Sequence, residues 1–245
     1  MIKGNIPLFA YHYERLTAGM KALRLDTGKD YGKDFFAAEI ERMTEHAEAD
    51  LRLRLSVFRA PGGLYTPLDP TPYFLIEADR TTGGFPINTA GITLTFYDEV
   101  FITGNYKYNR LAGIKSANAL PYVLAARHAR TYGFTESFMF NDRDFVAECQ
   151  ASNYFLWDGK NFTTPSLKTG CVAGVMRRAL LKIIAAYGQK CREIDEPAVR
   201  DIFAAKGVIL TNAVQGLRWV KKIDHTDYEK PKCFEALAEE VAGLG

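Results

Sequence analysis

The chain has 245 residues, 47% hydrophobic and 24% charged, enough for a substantial core in one large domain or two small ones. Its formal charge of +2, with Arg218, Lys221 and Lys222 as the densest basic cluster, argues against a nucleic-acid or acidic-membrane partner. No apolar run is long enough to cross a membrane or act as a signal peptide. The four cysteines and four histidines are scattered without CxxC spacing, so no metal site or disulfide scaffold is expected, and a cytoplasmic location is the default.

His12 to Leu23 carries Tyr13, Leu16, Met20 and Leu23 at helical spacing, and Phe35 to Leu51 is a second helical candidate rich in Glu, Ala and Arg. Leu51 to Phe58 alternates with period two, which predicts a half-buried strand ending in the Ala60-Pro61-Gly62-Gly63 turn. Tyr73 to Ala78 and Ile92 to Phe96 read as further strands, giving an N-terminal α+β domain over residues 1–105. The polar aromatic stretch Gly104 to Arg110 is the candidate interdomain crossing, with residues 106–112 as the linking segment and 113–245 as a second domain. There, Ala117 to Tyr132 reads as an amphipathic helix. Asn141-Asp142-Arg143-Asp144 and Asp158-Gly159-Lys160-Asn161 each sit between short apolar strands, as hairpin turns do. A helix from Val175 to Tyr187, a shorter one near Pro197 to Ala205, a strand at Val208 to Leu210 and a terminal helix from Cys233 complete the chain.

Three segments carry chemistry. Thr169-Gly170-Cys171-Val172-Ala173-Gly174 precedes the helix that begins at Val175, so the amides of Val175 and Met176 fall in a first helical turn, where donors lack intrahelical acceptors and the helix dipole favours a phosphate. Lys115 follows Gly113 and Ile114 just ahead of an apolar helix. In an apolar interior such an amine could form an imine with an aldehyde; on a surface it is an ordinary solvated lysine. Glu148 ends the apolar run Phe145 to Ala147. It could keep a pyridine nitrogen protonated, or simply reach solvent from a strand end.

Taken in order and separation, Leu111 to Lys115, Val146 to Asn153, Gly170 to Arg177 and Thr211-Asn212-Ala213 resemble the fold-type IV pyridoxal phosphate family. That family includes branched-chain and D-amino acid aminotransferases and aminodeoxychorismate lyases. The resemblance runs from Ile6 to about Val220. It implies a two-domain α+β fold with a small α/β N-terminal domain and a larger C-terminal pseudo-barrel. It also implies pyridoxal 5'-phosphate as cofactor, Lys115 as the amine that binds its aldehyde and shuttles the proton between the substrate Cα and the cofactor C4′, and Glu148 as partner of its ring nitrogen. Arg15, in His12-Tyr13-Glu14-Arg15-Leu16, matches the family arginine that grips the phosphate. Val175 and Met176 would donate amides to that phosphate and Asn212 a side chain, while Asn118 and Asn153 match positions near the cofactor.

Two departures stand out. The family usually begins with a strand carrying an aromatic-Glu-Thr or Phe-Thr-Thr segment, and this chain starts at Met1-Ile2-Lys3-Gly4, past its expected place. Leu120 stands where some aminotransferases carry a tyrosine and lyase-like members a leucine. The resemblance implies an aminotransferase acting on an amino acid and a 2-oxo acid; a 4-amino-4-deoxychorismate lyase is the alternative, and a pyridoxal phosphate-binding protein without turnover a third reading. Lys107 and Arg110, with Arg59 and Arg218, are candidate partners of a substrate carboxylate, and Asn118 is a further substrate candidate. A homodimer is implied by the family, and the expected partners are small molecules.

Overall fold

The computed structural model describes residues 1–25, 31–66, 68–69, 71–81, 83–104, 109 and 111–245. It divides into two compact units, Met1–Gly84 together with Gly245, and Phe85–Leu244. This division falls earlier than the expected boundary at 105, because the strand beginning at Ile92 pairs with the strands that follow it rather than with those before. Most of the expected crossing (105–108 and 110) lies outside the described residues.

The first unit contains α1 (Phe9–Ala22), α2 (Lys33–Thr44) and the antiparallel pair β1 (Leu51–Arg59) and β2 (Pro72–Arg80). α2 ends well before Leu51: Thr44 Oγ1 turns back to the Ile40 carbonyl at 2.9 Å, and the polar run His46 to Asp50 offers no further apolar face. Phe36 is fully buried and meets Phe74 of β2 edge-on at 5.6 Å, which fastens α2 to the two-stranded sheet.

The second unit comprises β3 (Ile92–Ile102), α3 (Leu120–Thr131), β4 (Glu136–Asn141), β5 (Val146–Cys149), β6 (Asn153–Trp157), β7 (Phe162–Pro165), α4 (Val175–Ala186), β8 (Cys191–Ile194), α5 (Val199–Ala204), β9 (Gly207–Asn212), β10 (Gly216–Ile223), β11 (Thr226–Asp227) and α6 (Phe234–Ala242). Its strands run in the order β5-β4-β3-β10-β9-β6-β7-β8, with β11 on β10. Both expected hairpins form. Asn141 Oδ1 accepts from the Arg143 and Phe145 amides in one, and Asp158 Oδ1 from the Lys160 and Asn161 amides in the other.

The connectivity forces this sheet to roll. β5 and β6 lie five places apart in strand order, yet only Gln150, Ala151 and Ser152 separate them in sequence. Five spacings of a flat sheet come to about 24 Å, whereas that link reaches roughly 14 Å when fully extended. The sheet therefore curls until β5 meets β6, and the Tyr154 hydroxyl of β6 donates to the Val146 carbonyl of β5 at 2.8 Å. Phe138, Val146, Cys149, Tyr154, Leu156, Val208, Leu210 and Val220 pack together on one face; Met139 and Ala147 turn to the other, against Ala125 of α3.

A buried ion pair fixes the link itself. Arg218 of β10 bonds the carboxylate of Glu136 on β4, with side-chain exposures of 8% and 4%. Ser152 Oγ donates to Glu136 at 3.0 Å and lies 2.9 Å from the Arg218 guanidinium, and the Ala151 amide donates to Glu136 at 3.3 Å. Arg218, a sequence candidate for a substrate carboxylate, is thus spent inside the fold. Replacing it by methionine leaves Glu136 buried without its counter-charge. Arg218→Met is expected to lower the unfolding free energy in urea by about 3–5 kcal/mol, with most of the loss recovered on adding Glu136→Leu. A loss below about 1 kcal/mol for the single variant would contradict a locking role.

Candidate active site

The loop bearing Lys115 is stitched to the turn that precedes α4. Gly113 holds φ +75 there, and a Cβ at that position would lie 2.9 Å from the Cys171 carbonyl oxygen, so a side chain would push the two segments apart. The Gly113 carbonyl accepts from the Ala173 amide at 3.2 Å. Gly170, at φ +89, approaches Thr103 so closely that a Cβ would fall 2.2 Å from its carbonyl oxygen, and Asn141 Nδ2 donates to the Thr169 carbonyl at 3.0 Å. The turn then enters α4 through Gly174 with no side-chain cap, which leaves the first-turn amides of Val175 and Met176 without an intrahelical acceptor.

Glu148 sits beside this turn and does not reach solvent: it is 3% exposed. The Tyr122 hydroxyl of α3 donates to its Oε1 at 2.7 Å; the Val172 amide and Asn153 Nδ2 donate to Oε2 at 3.0 and 3.3 Å. Asn153 Nδ2 also donates to the Val172 carbonyl at 3.0 Å. A Cβ on Gly174 would come within 2.1 Å of Asn153 Oδ1, so glycine lets the start of α4 close over that amide. Burial pushes the Glu148 carboxyl up to about 7, against the pull of Tyr122, Val172 and the positive charges of Lys115 and Arg177.

Lys115 is exposed rather than held in an apolar interior, and its Nζ lies 6.0 Å from the Tyr122 ring centroid. Lys115, Tyr122, Glu148, Asn153 and the start of α4 therefore form one cluster. Asn118 is exposed on the same loop, and Lys107 and Arg110 lie outside the described residues. Asn212 closes the β9–β10 turn: its Oδ1 accepts from the Val214 and Gln215 amides, and its Nδ2 donates to Ser152 Oγ at 3.1 Å. Arg15 lies half-buried on α1 of the first unit, where burial lowers its pKa. Burial, followed by the Arg15 charge, pushes the neighbouring His12 down to about 4. Arg59, in the same unit, donates to the Leu23 carbonyl.

Sequence reasoning missed Tyr122, Val172 and Thr211. Thr211 is 1% exposed and its Oγ1 has no partner among the described residues. It stands opposite Asn153 in the β6–β9 register, so the two side chains share a face. Thr211 was visible inside the motif that drew attention to Asn212. Tyr122 left no local signal, because its partner lies two elements away.

The donor set fits pyridoxal phosphate. An accessible primary amine, a buried carboxyl poised near neutrality, uncapped helix amides and an unpartnered hydroxyl answer its aldehyde, ring nitrogen and phosphate.

The Glu148 carboxyl also makes stability depend on pH. Its folded pKa of about 7 lies above the ordinary value of 4.5, so between those values the folded protein holds a proton that the unfolded chain has released. Stability accordingly falls as pH rises through this window, by about 3 kcal/mol for this group. Urea unfolding from pH 5 to pH 8 should show this loss in the wild type and a smaller one in Glu148→Gln. Identical pH profiles would contradict the buried, proton-holding carboxyl.

The amino-transferase class IV family model matches residues 1–223. A provisionally named branched-chain-amino-acid aminotransferase from Methanocaldococcus jannaschii is 28% identical over 112 residues, covering 45% of this chain and 38% of that relative. An aminodeoxychorismate lyase from Vibrio harveyi is 30% identical over 113 residues, covering 46% and 41%. The matched stretches thus span about two fifths of these curated relatives' lengths. A provisionally named 4-amino-4-deoxychorismate lyase from Legionella pneumophila has a TM-score of 0.87 at 20% identity, covering 100% of this chain and 88% of that one. A pyridoxal phosphate-bound hypothetical aminotransferase from Mycobacterium tuberculosis scores 0.83 at 19% identity, covering 99% and 85%. Similarity at this level establishes the fold-type IV architecture, and the match over residues 1–223 establishes that the chain belongs to the amino-transferase class IV family.

Proposed function

We propose that this chain is a pyridoxal phosphate-dependent enzyme that transfers an amino group between an amino acid and a 2-oxo acid, with Lys115 as its catalytic amine. The observation that carries this reading is the juxtaposition of Lys115 and the buried Glu148 about one tyrosine, beside an uncapped helix start. When bound, pyridoxal phosphate supplies an aldehyde and a ring that withdraws electrons from the substrate Cα. Glu148 holds a proton on the ring nitrogen. The amides of Val175 and Met176 and the Thr211 hydroxyl hold the phosphate, with Asn153 keeping Glu148 and the turn in register. The sequence motif assigns Arg15 and Asn212 to the same phosphate. Lys115 would take the proton from the substrate Cα and deliver it to the carbon of the cofactor's aldehyde rather than back to Cα, and its exposure leaves it open to an incoming substrate. Lys107, Arg110 and Asn118 are the proposed substrate contacts. A cytoplasmic homodimer is part of the same proposal and rests on the family resemblance.

The lyase reading uses the same residues up to proton removal, after which a group would leave from Cβ instead of the proton being delivered to the cofactor. It is supported by the Leu111 to Lys115 and Thr211 to Ala213 segments and by the names of the Vibrio and Legionella proteins. Assay of the pyridoxal phosphate-loaded protein separates the readings. Amino transfer strictly dependent on 2-oxoglutarate or another acceptor supports the aminotransferase; pyruvate released from aminodeoxychorismate without an acceptor supports the lyase. Bound cofactor with neither product supports a binding protein. Lys115→Ala should reduce turnover by at least about a hundredfold while retaining cofactor, and unchanged turnover would remove Lys115 from the mechanism.

A further inference from the structure

We propose that Tyr122 is a positioning residue of this site: its hydroxyl fixes the rotation of the Glu148 carboxyl and favours the ionised form, so that recognition of a ring nitrogen depends on it. This deepens the cofactor reading and rests on it. A carboxylate offers about four lone-pair directions on its two oxygens. Oε2 receives two donors, the Val172 amide and Asn153 Nδ2, while the Tyr122 hydroxyl takes one direction on Oε1. The direction left on Oε1 is the one open to an external N–H, and Tyr122 decides where it points.

The surrounding charges assign Tyr122 the donor role. Lys115, in the loop before α3, and Arg177, on α4, are the cations that favour ionised Glu148. The thiols of Cys149 on β5 and Cys171 in the turn also feel the Glu148 charge; burial pushes both up, Cys171 to about 12, so they remain neutral. Burial and the Glu148 charge raise the Tyr122 phenol as well, which keeps its proton available. Lys115 Nζ lies 6.0 Å from the ring centroid of the same tyrosine, so one side chain on α3 bonds Glu148 and stands near the Lys115 amine. In Tyr122→Phe the ring and its packing remain, and only the donor is lost.

The test has one readout without cofactor and one with it. Infrared difference titration of the cofactor-free protein, using Glu148→Gln to assign the band, follows the carboxyl C=O stretch. The wild-type midpoint is expected near 7, moving up by about one pH unit in Tyr122→Phe. Pyridoxal phosphate affinity at pH 7 should weaken about tenfold in Tyr122→Phe, with no such effect when the substitution is made in Glu148→Gln. An unmoved midpoint, or an equal loss of affinity in both backgrounds, overturns the proposal. A shifted midpoint in a protein that binds no pyridoxal phosphate at all would uphold the Tyr122–Glu148 coupling and overturn the cofactor reading instead.

Discussion

Everything at this site depends on the link Gln150 to Ser152 between two strands that stand far apart in the sheet. A chain that short cannot cross a flat sheet, so the sheet must roll, and rolling brings the end of β5 to the start of β6. Glu148 and Asn153 flank the link, and their side chains meet as a consequence. The same closure lets the turn before α4 deliver the Val172 amide to Glu148 and set the uncapped helix start beside it. The buried carboxyl and the uncapped helix amides are thus consequences of one topological constraint.

The buried polar groups divide into two kinds. Arg218, Glu136 and Ser152 bond one another and hold the link, so most of their desolvation is offset within the fold, with Arg218 Nε left without a partner among the described residues. Glu148 receives three neutral donors, and of its nearby cations, Lys115 and Arg177, the latter is paired with Glu193 at 2.6 Å; burial still wins and pushes the carboxyl up to about 7. A protonated ring nitrogen would provide the charge that the interior withholds. Thr211 Oγ1, buried and without a described partner, has the same character toward a phosphate. Both groups leave an unmet need in the folded chain that a bound cofactor would meet.

Elements with local causes were legible in the sequence. The alternation from Leu51 produced β1, and the apolar stripe after Gly174 produced α4, within a residue of its observed end. Ile92 to Phe96 was read too short because Asp98 and Glu99 interrupt the apolar run, although β3 continues through them to Ile102. β10 was hidden: Arg218, Lys221 and Lys222 look like a solvated basic patch, and the partner that buries Arg218 is Glu136, 82 residues away. The candidate site divides along the same line. Lys115, Glu148 and the Gly170 to Gly174 turn were legible as motifs. Tyr122 was not, since its meaning depends on a carboxylate two elements further along the chain, and the Asn212 amide proved to be engaged in its own turn.

The central claim is that one amine, Lys115, is set against Glu148 to receive the cofactor's aldehyde. Incubation with pyridoxal phosphate, borohydride reduction and peptide mapping tests it most directly. The account predicts a stable label concentrated on Lys115 and lost from that peptide in Lys115→Ala. A label spread without preference over surface lysines, or concentrated on a different lysine, would contradict it.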